Sequence, residues 1–170
     1  MLQLSSAFAN VNVMSLRTGT AVAQVTRPIF NPDNLKIEGF YCMDTFNKTE
    51  MVLLYQDIRD FLPQGFVIDD HDVLAHPSEL VRLKKVLDLN FQLIGMRVDA
   101  DKKRLGKVSD YATEITTMYV QKLYVSQSVF KSFTGGQLSV DRNQIIEINN
   151  TRILIHDPLR GTPSGAAVPA

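Results

Sequence analysis

Leu105-Gly106-Lys107-Val108-Ser109-Asp110 is the stretch from which the fold can be read. Apolar residues recur at Leu105, Val108, Ala112 and Ile115, so residues 104–115 read as a long strand. The alternation slips by one between Leu105 and Val108. A glycine at such a slip predicts a bulge or a strong bend near Gly106. Just upstream, Gly95-Met96-Arg97-Val98-Asp99 reads as a shorter strand, and Asp101-Lys102-Lys103 as the hairpin turn between the two.

A weaker copy of this arrangement lies in the first half of the chain. Residues 13–17 read as a strand, Thr18-Gly19-Thr20 as a turn and residues 21–26 as the returning strand. Val22-Ala23-Gln24-Val25 lies over Leu105-Gly106-Lys107-Val108, Ile58 over Ile145, and Phe66-Val67-Ile68-Asp69-Asp70 over Ile153-Leu154-Ile155-His156-Asp157. A repeat of about 80 residues exceeds the ~20–50 of a solenoid unit, so two small barrel-like domains are expected.

The remaining segments fit this scheme. Residues 1–12 read as a lead-in docked by Phe8, and residues 27–34 as a loop, because Pro28 and Pro32 exclude a central strand. Residues 35–43 alternate as a strand, residues 51–55 are apolar throughout and read as a central one, and residues 56–61 suit a single helical turn. His76-Pro77-Ser78 opens the one convincing helix, residues 77–89. Its apolar stripe is Leu80, Leu83 and Leu87, and Arg82, Lys84 and Lys85 face away. In the second copy, residues 118–125 read as a strand, 129–133 as a helical turn ended by Gly135-Gly136, and 144–149 with 152–156 as the closing hairpin. The expected domains are residues 1–76 and 91–157, joined by a linking helix over 77–90. Residues 158–170 form a tail too poor in apolar groups to order itself.

The second copy resembles the PRC-barrel family, named for the photosynthetic reaction-centre H subunit and also carried by ribosome maturation proteins. The residues behind the resemblance are Gly95, Val98, Leu105, Gly106, Lys107, Val108 and Asp110, with the strand over 119–125 and the hairpin over 144–156. The first copy departs from the pattern: Ala23 stands where the glycine should be, and Thr26 or Arg27 where the aspartate should be. The resemblance implies a mainly β chain of two small antiparallel PRC-type barrels in tandem, joined by one α-helix. It also implies docking modules without a common catalytic centre.

The chain has 170 residues, an apolar fraction of 45% and a net charge of +0, which exclude global disorder and give no bulk electrostatic cue to a partner. The distribution is uneven. Residues 1–75 hold 5 Lys or Arg against 9 Asp or Glu, and residues 76–135 hold 10 against 6. Cys42 is the only cysteine, which excludes an intramolecular disulfide. With no cation before Arg17 and no apolar run long enough for a span, the sequence is read as cytoplasmic, without a secretory signal or a transmembrane segment.

No catalytic constellation is legible. Asp69-Asp70-His71-Asp72 reads as a turn and helix cap, because consecutive side chains diverge while a metal needs converging ligands. Asp99-Ala100-Asp101 lacks the glycine and glutamate of a calcium loop, and His71, His76 and His156 share no zinc spacing. Cys42 sits in an apolar strand and reads as an inert thiol. Thr134-Gly135-Gly136 is not followed by the rest of a phosphate loop. No metal and no cofactor is therefore expected. Asp110 is expected to pin the barrel through backbone N–H groups.

The expected function is a non-enzymatic adaptor docking on a protein partner or a ribonucleoprotein, in RNA processing or ribosome maturation. Lys102, Lys103, Arg104 and Lys107 would be its contact residues for RNA or the ribosome, with Tyr111, Tyr119 and Tyr124 nearby. The alternative is a structural or cell-division adaptor on a filament or membrane complex, for which self-association would be the sign. An enzyme using His71 and Asp70 ranks last.

Overall fold

The computed structural model describes residues 1–127 and 137–157. The helical turn expected over 129–133, its Gly135-Gly136 end and the tail over 158–170 lie outside the described residues. The chain is mainly β, with two sheets and, among the described residues, one short α-helix.

The first sheet holds β2 (Asn12–Ser15), β3 (Ala21–Asn31), β4 (Lys36–Asp44), β5 (Glu50–Leu54), β6 (Asp60–Leu62) and β7 (Gly65–Ile68), in the order β5-β4-β3-β2-β7-β6. The second holds β8 (Arg97–Ala100), β9 (Lys103–Glu114), β10 (Val120–Ser126), β11 (Leu138–Asp141), β12 (Ile145–Ile148) and β13 (Arg152–Ile155), in the order β11-β10-β9-β8-β13-β12. Each of these six strands thus takes the place of the strand six earlier in the first; a seventh strand of the second sheet, from the lead-in, pairs with β9 and has no counterpart.

The register repeats as well as the order. Val13 pairs with Ala23 and with Phe66, and Val98 pairs with Gly106 and with Ile153. A bulge falls between Val13 and Met14 and, at the matching place, between Val98 and Asp99. Val25 N–H donates to the Val11 carbonyl at 2.8 Å, as Val108 N–H does to that of Met96 at 2.9 Å. A 3-10 turn precedes β6 at Tyr55–Asp57 and β12 at Arg142–Gln144. The internal repeat expected from the sequence is present, with the bulge beside Gly106.

Four expectations need correction. The sheets are not antiparallel throughout: β2 with β7, and β8 with β13, pair in parallel, because the β6–β7 and β12–β13 hairpins return beside the first strand of each repeat. β3 does not stop at residue 26 but runs through Pro28, which pairs with Phe40. Its pairing with β2 ends at Gln24, so the missing N–H of Pro28 falls beyond that ladder. β5 is the end strand of its sheet rather than a central one. Its outer edge is met by Ala75, which exchanges backbone bonds of 2.8 and 2.9 Å with Val52. The linking helix is not continuous: 3-10 turns at Pro77–Glu79 and Val81–Leu83 precede α1 (Lys84–Leu89). Leu80 leaves helical geometry at φ −89° and ψ 69°. Leu80, Val86 and Leu87 then pack against Ile29, Tyr41 and Val52.

Two compact units divide the described chain: residues 1–92 with 111–121, and residues 93–110 with the described part of 122–170. In the first, Phe8 is 1% exposed and packs against Phe40 and Phe66 at ring distances of 5.5 and 6.3 Å, the docking expected of the lead-in. The lead-in also forms β1 (Leu2–Leu4), which pairs with β9 at residues 112–114. In the second, Val98, Val125, Val140, Ile153 and Ile155 are fully buried and make the core.

Candidate functional site

Two polar groupings stand out, one in each unit. In the first, β4 ends in Asp44, which is 1% exposed. Its carboxylate accepts the backbone N–H of Phe46 at 2.7 Å and of Asn47 at 3.3 Å, and meets Nε2 of His71 at 2.7 Å. Burial pushes the pKa of Asp44 up, but these bonds outweigh it and the net direction is down. The Phe46 ring meets His71 edge-on at 5.4 Å. Asp70 turns elsewhere: it accepts Ser15 Oγ at 3.0 Å, Arg17 at 2.9 Å and the His71 backbone N–H at 2.8 Å. The His71 imidazole therefore pairs with Asp44 rather than with its neighbour in sequence.

The remaining candidates have local roles. Asp69 pairs with Arg59 at 2.6 Å, and Nδ1 of His76 meets Ser78 Oγ at 2.7 Å. Cys42 is fully buried in β4, and burial pushes its thiol up to about 12, so little reactive thiolate exists near neutrality. Among the described residues no group of three or more His, Cys, Asp or Glu is placed to hold a metal ion. A recess lined in part by Arg27, Tyr41, Leu87 and Asn90 has about 10 Å³ of room, the space of one water. It is far below the ~300 Å³ of a small-molecule pocket.

In the second unit the chain reverses between β8 and β9, and Asp101 adopts a left-handed φ of 50° in the turn. Lys102, Lys103, Arg104 and Lys107 are all exposed. Of the motif residues, Val98 and Val108 are core, Leu105 and Asp110 are half-buried, and Gly95 donates its N–H to the Val108 carbonyl at 2.8 Å. Gly106 is buried where β10 passes close: a Cβ there would lie 2.0 Å from the Ser126 carbonyl oxygen.

Beside the basic turn lies a grouping that local sequence reading does not assemble. Asp99, 1% exposed, accepts Nε of Arg97 at 2.7 Å and Nη1 of Arg152 at 3.3 Å. Burial raises its pKa, the two guanidiniums outweigh that, and the net direction is down. Arg97 and Arg152 are 55 positions apart in the chain, and the parallel pairing of β8 with β13 brings them side by side. The repeat alignment matches β13 to β7 but names a neighbour for neither, so the sequence carried no signal for this grouping. Of the three tyrosines near the basic turn, Tyr111 is buried, Tyr119 lies 5.6 Å from the Lys36 ammonium, and Tyr124 is half-exposed on β10.

No protein-family model matches this chain, and no curated protein matches it. Among the described residues no helix is long and apolar enough to cross a membrane.

Proposed function

We propose that the chain is a non-enzymatic docking module built from two PRC-type barrels, acting as an adaptor on a ribonucleoprotein in RNA processing or ribosome maturation. The observation that supports this best is the duplicated six-strand order with matching register and bulge. In this reading β5 approaches β6, and β11 approaches β12, so that each short sheet closes and hides its edges. The polar groupings suit such a scaffold. Asp44 with His71, and Asp70 with Ser15 and Arg17, tie turns together. The exposed cations of the second unit supply the RNA-facing side: Lys102, Lys103, Arg104 and Lys107.

The test is an affinity pull-down of the tagged full chain with and without RNase, joined to RNA titration of the purified protein. Ribosomal proteins or processing factors that are lost on RNase treatment are the expected result. Charge reversal at Lys102, Lys103 and Arg104 should weaken RNA binding and flatten its salt dependence. A partner that resists RNase, with no RNA affinity in the purified chain, would replace this reading with the structural adaptor.

A further inference from the structure

Three cations stand in register across three neighbouring strands of the second unit. Lys107 on β9 lies opposite Arg97 on β8, and Arg97 lies opposite Arg152 on β13. Residues in register share a face, and strands lie ~4.8 Å apart, so the row spans about 10 Å. Gly106, Val98 and Ile153, the chain neighbours of the three, are buried, which puts the row on the outer face. The side chains of Arg97 and Arg152 are 47% and 39% exposed. Lys107 is exposed and has no ion pair among the described residues. The carboxylate bonded to the row is that of Asp99, whose side chain is 2% exposed and so lies beneath the two guanidiniums.

The first unit serves as an internal control. Counted from Val13, Ala23 and Phe66 as the row is counted from Val98, Gly106 and Ile153, the matching positions are Asn12, Gln24 and Gly65. None is charged. The same ladder therefore forms without cations, and like charges placed opposite one another cost stability. Arg97 and Arg152 neutralise the buried Asp99, for which the first unit carries Met14, and Lys107 is left as surplus charge beside them, so the exposed side of the row is net positive and fits a ligand of opposite charge. On β10, Tyr124 alternates with buried Leu123 and Val125 and so lies on the outer face. Its carbonyl accepts Ser109 Oγ at 3.1 Å, which ties it to β9, the strand of Lys107. Around Tyr124 this face carries Ser109, Ser126 and Lys122, polar groups that suit a phosphodiester chain, while half-buried Leu154 flanks Arg152.

We infer that the row Lys107–Arg97–Arg152 binds the phosphate backbone of single-stranded RNA, with Tyr124 offering its ring to a base and Asp99 as the positioning residue that holds both guanidiniums. This rests on the RNA-linked reading above and moves its centre from the hairpin turn to the sheet face. Such sites combine a basic track with an aromatic platform.

The experiment is fluorescence anisotropy of a labelled single-stranded oligouridylate against the purified full chain over a series of salt concentrations. Each cation removed should lower the magnitude of the logarithmic salt slope by about 0.7. Lys107→Gln alone, and Arg97→Asn with Lys107→Gln, install the residues that the first unit carries at these places. Tyr124→Ala should weaken binding and leave the slope unchanged. Arg97→Asn frees the buried Asp99 carboxylate, so its thermal midpoint is measured alongside. Lys107→Gln breaks no side-chain bond among the described residues and keeps the test open even if the double variant unfolds. Unchanged affinity and slope in Lys107→Gln and the double variant, with binding lost on charge reversal at 102–104, would overturn the inference and leave the RNA reading standing. No binding by the unaltered chain would overturn the RNA reading itself. Row-dependent binding of phosphatidylserine vesicles in place of RNA would overturn the assignment of the ligand.

Discussion

Nε2 of His71 lies 2.7 Å from Oδ2 of Asp44, joining the turn after β4 to the 3-10 turn at His71–Val73. The carboxylate is the centre of this joint, because it also accepts two backbone N–H groups of its own turn. Asp44→Ala removes the one acceptor shared by two turn N–H groups and the imidazole, and should cost about 2–3 kcal/mol. His71→Ala removes one bond of several from a half-exposed ring and should cost less, about 1 kcal/mol. Urea unfolding of the two variants checks the order, and an equal loss in both would contradict the central role of Asp44.

The same carboxylate and Asp99 set an acid limit on stability. Both are buried, and for both the net pKa direction is downward. A folded pKa below the unfolded value of about 3.9 stabilises the fold above that pH, and the stabilisation is lost as pH falls through the folded pKa. Asp69, Asp70 and Glu114 shift the same way but are more exposed, and solvent screens their contribution. The thermal midpoint should therefore hold steady from neutrality to about pH 5 and fall below it. Asp44→Asn and Asp99→Asn should each flatten that fall. An acid limb as steep in the double variant as in the unaltered chain would place the effect elsewhere.

Duplication and bulge were legible because they are written in local pattern: the phase slip at Gly106, and apolar pairs such as Phe66 with Ile153 at matching distances. Segments ruled by distant partners were not. Pro28 argues locally against a strand, yet only pairing with β4 is asked of it once β2 has ended. The stripe Leu80, Leu83 and Leu87 fits a continuous helix, and only the cluster of Ile29, Tyr41 and Val52 selects Leu80, Val86 and Leu87 in its place. The basic turn could be read from four nearby cations. Arg97 and Arg152 could not, because a parallel ladder joins residues far apart in the chain.

Gly106 offers a test of how differently the two repeats have settled. A Cβ there would meet the Ser126 carbonyl oxygen at 2.0 Å and its carbon at 2.9 Å, both backbone atoms without a free rotor to yield. The first repeat carries Ala23 at the matching position. Gly106→Ala should destabilise the chain by at least about 2 kcal/mol, the range of an overpacked site. Ala23→Gly in the sister position should cost about 1 kcal/mol, through chain entropy and one lost methyl. Denaturant midpoints of the two variants measure the difference, and equal effects would mean that β10 moves aside freely.

Asn90 closes α1 in the left-handed region, at φ 45° and ψ 48°, with its N–H reaching the carbonyls of Val86 and Leu87. Its side chain accepts Nη1 of Arg27 at 2.7 Å, and the same guanidinium lies 3.9 Å above the ring of Tyr41. The residue therefore has two separable roles, a backbone one and a side-chain one. Asn90→Gly keeps the left-handed cap and loses only exposed side-chain bonds, from Arg27 and from Gln92 Nε2 at 3.2 Å, so its cost should stay near 0.5 kcal/mol, about that of exposed polar contacts. Asn90→Ala loses both, and the left-handed penalty of a Cβ adds about 1 kcal/mol. Arg27→Lys should fall between them, since an ammonium reaches Asn90 but does not lie flat on Tyr41 as a guanidinium does. Urea unfolding of the three variants resolves the ladder. Should Asn90→Gly cost as much as Asn90→Ala, the Arg27 bond and not the backbone conformation would be what holds the end of α1 against its cluster.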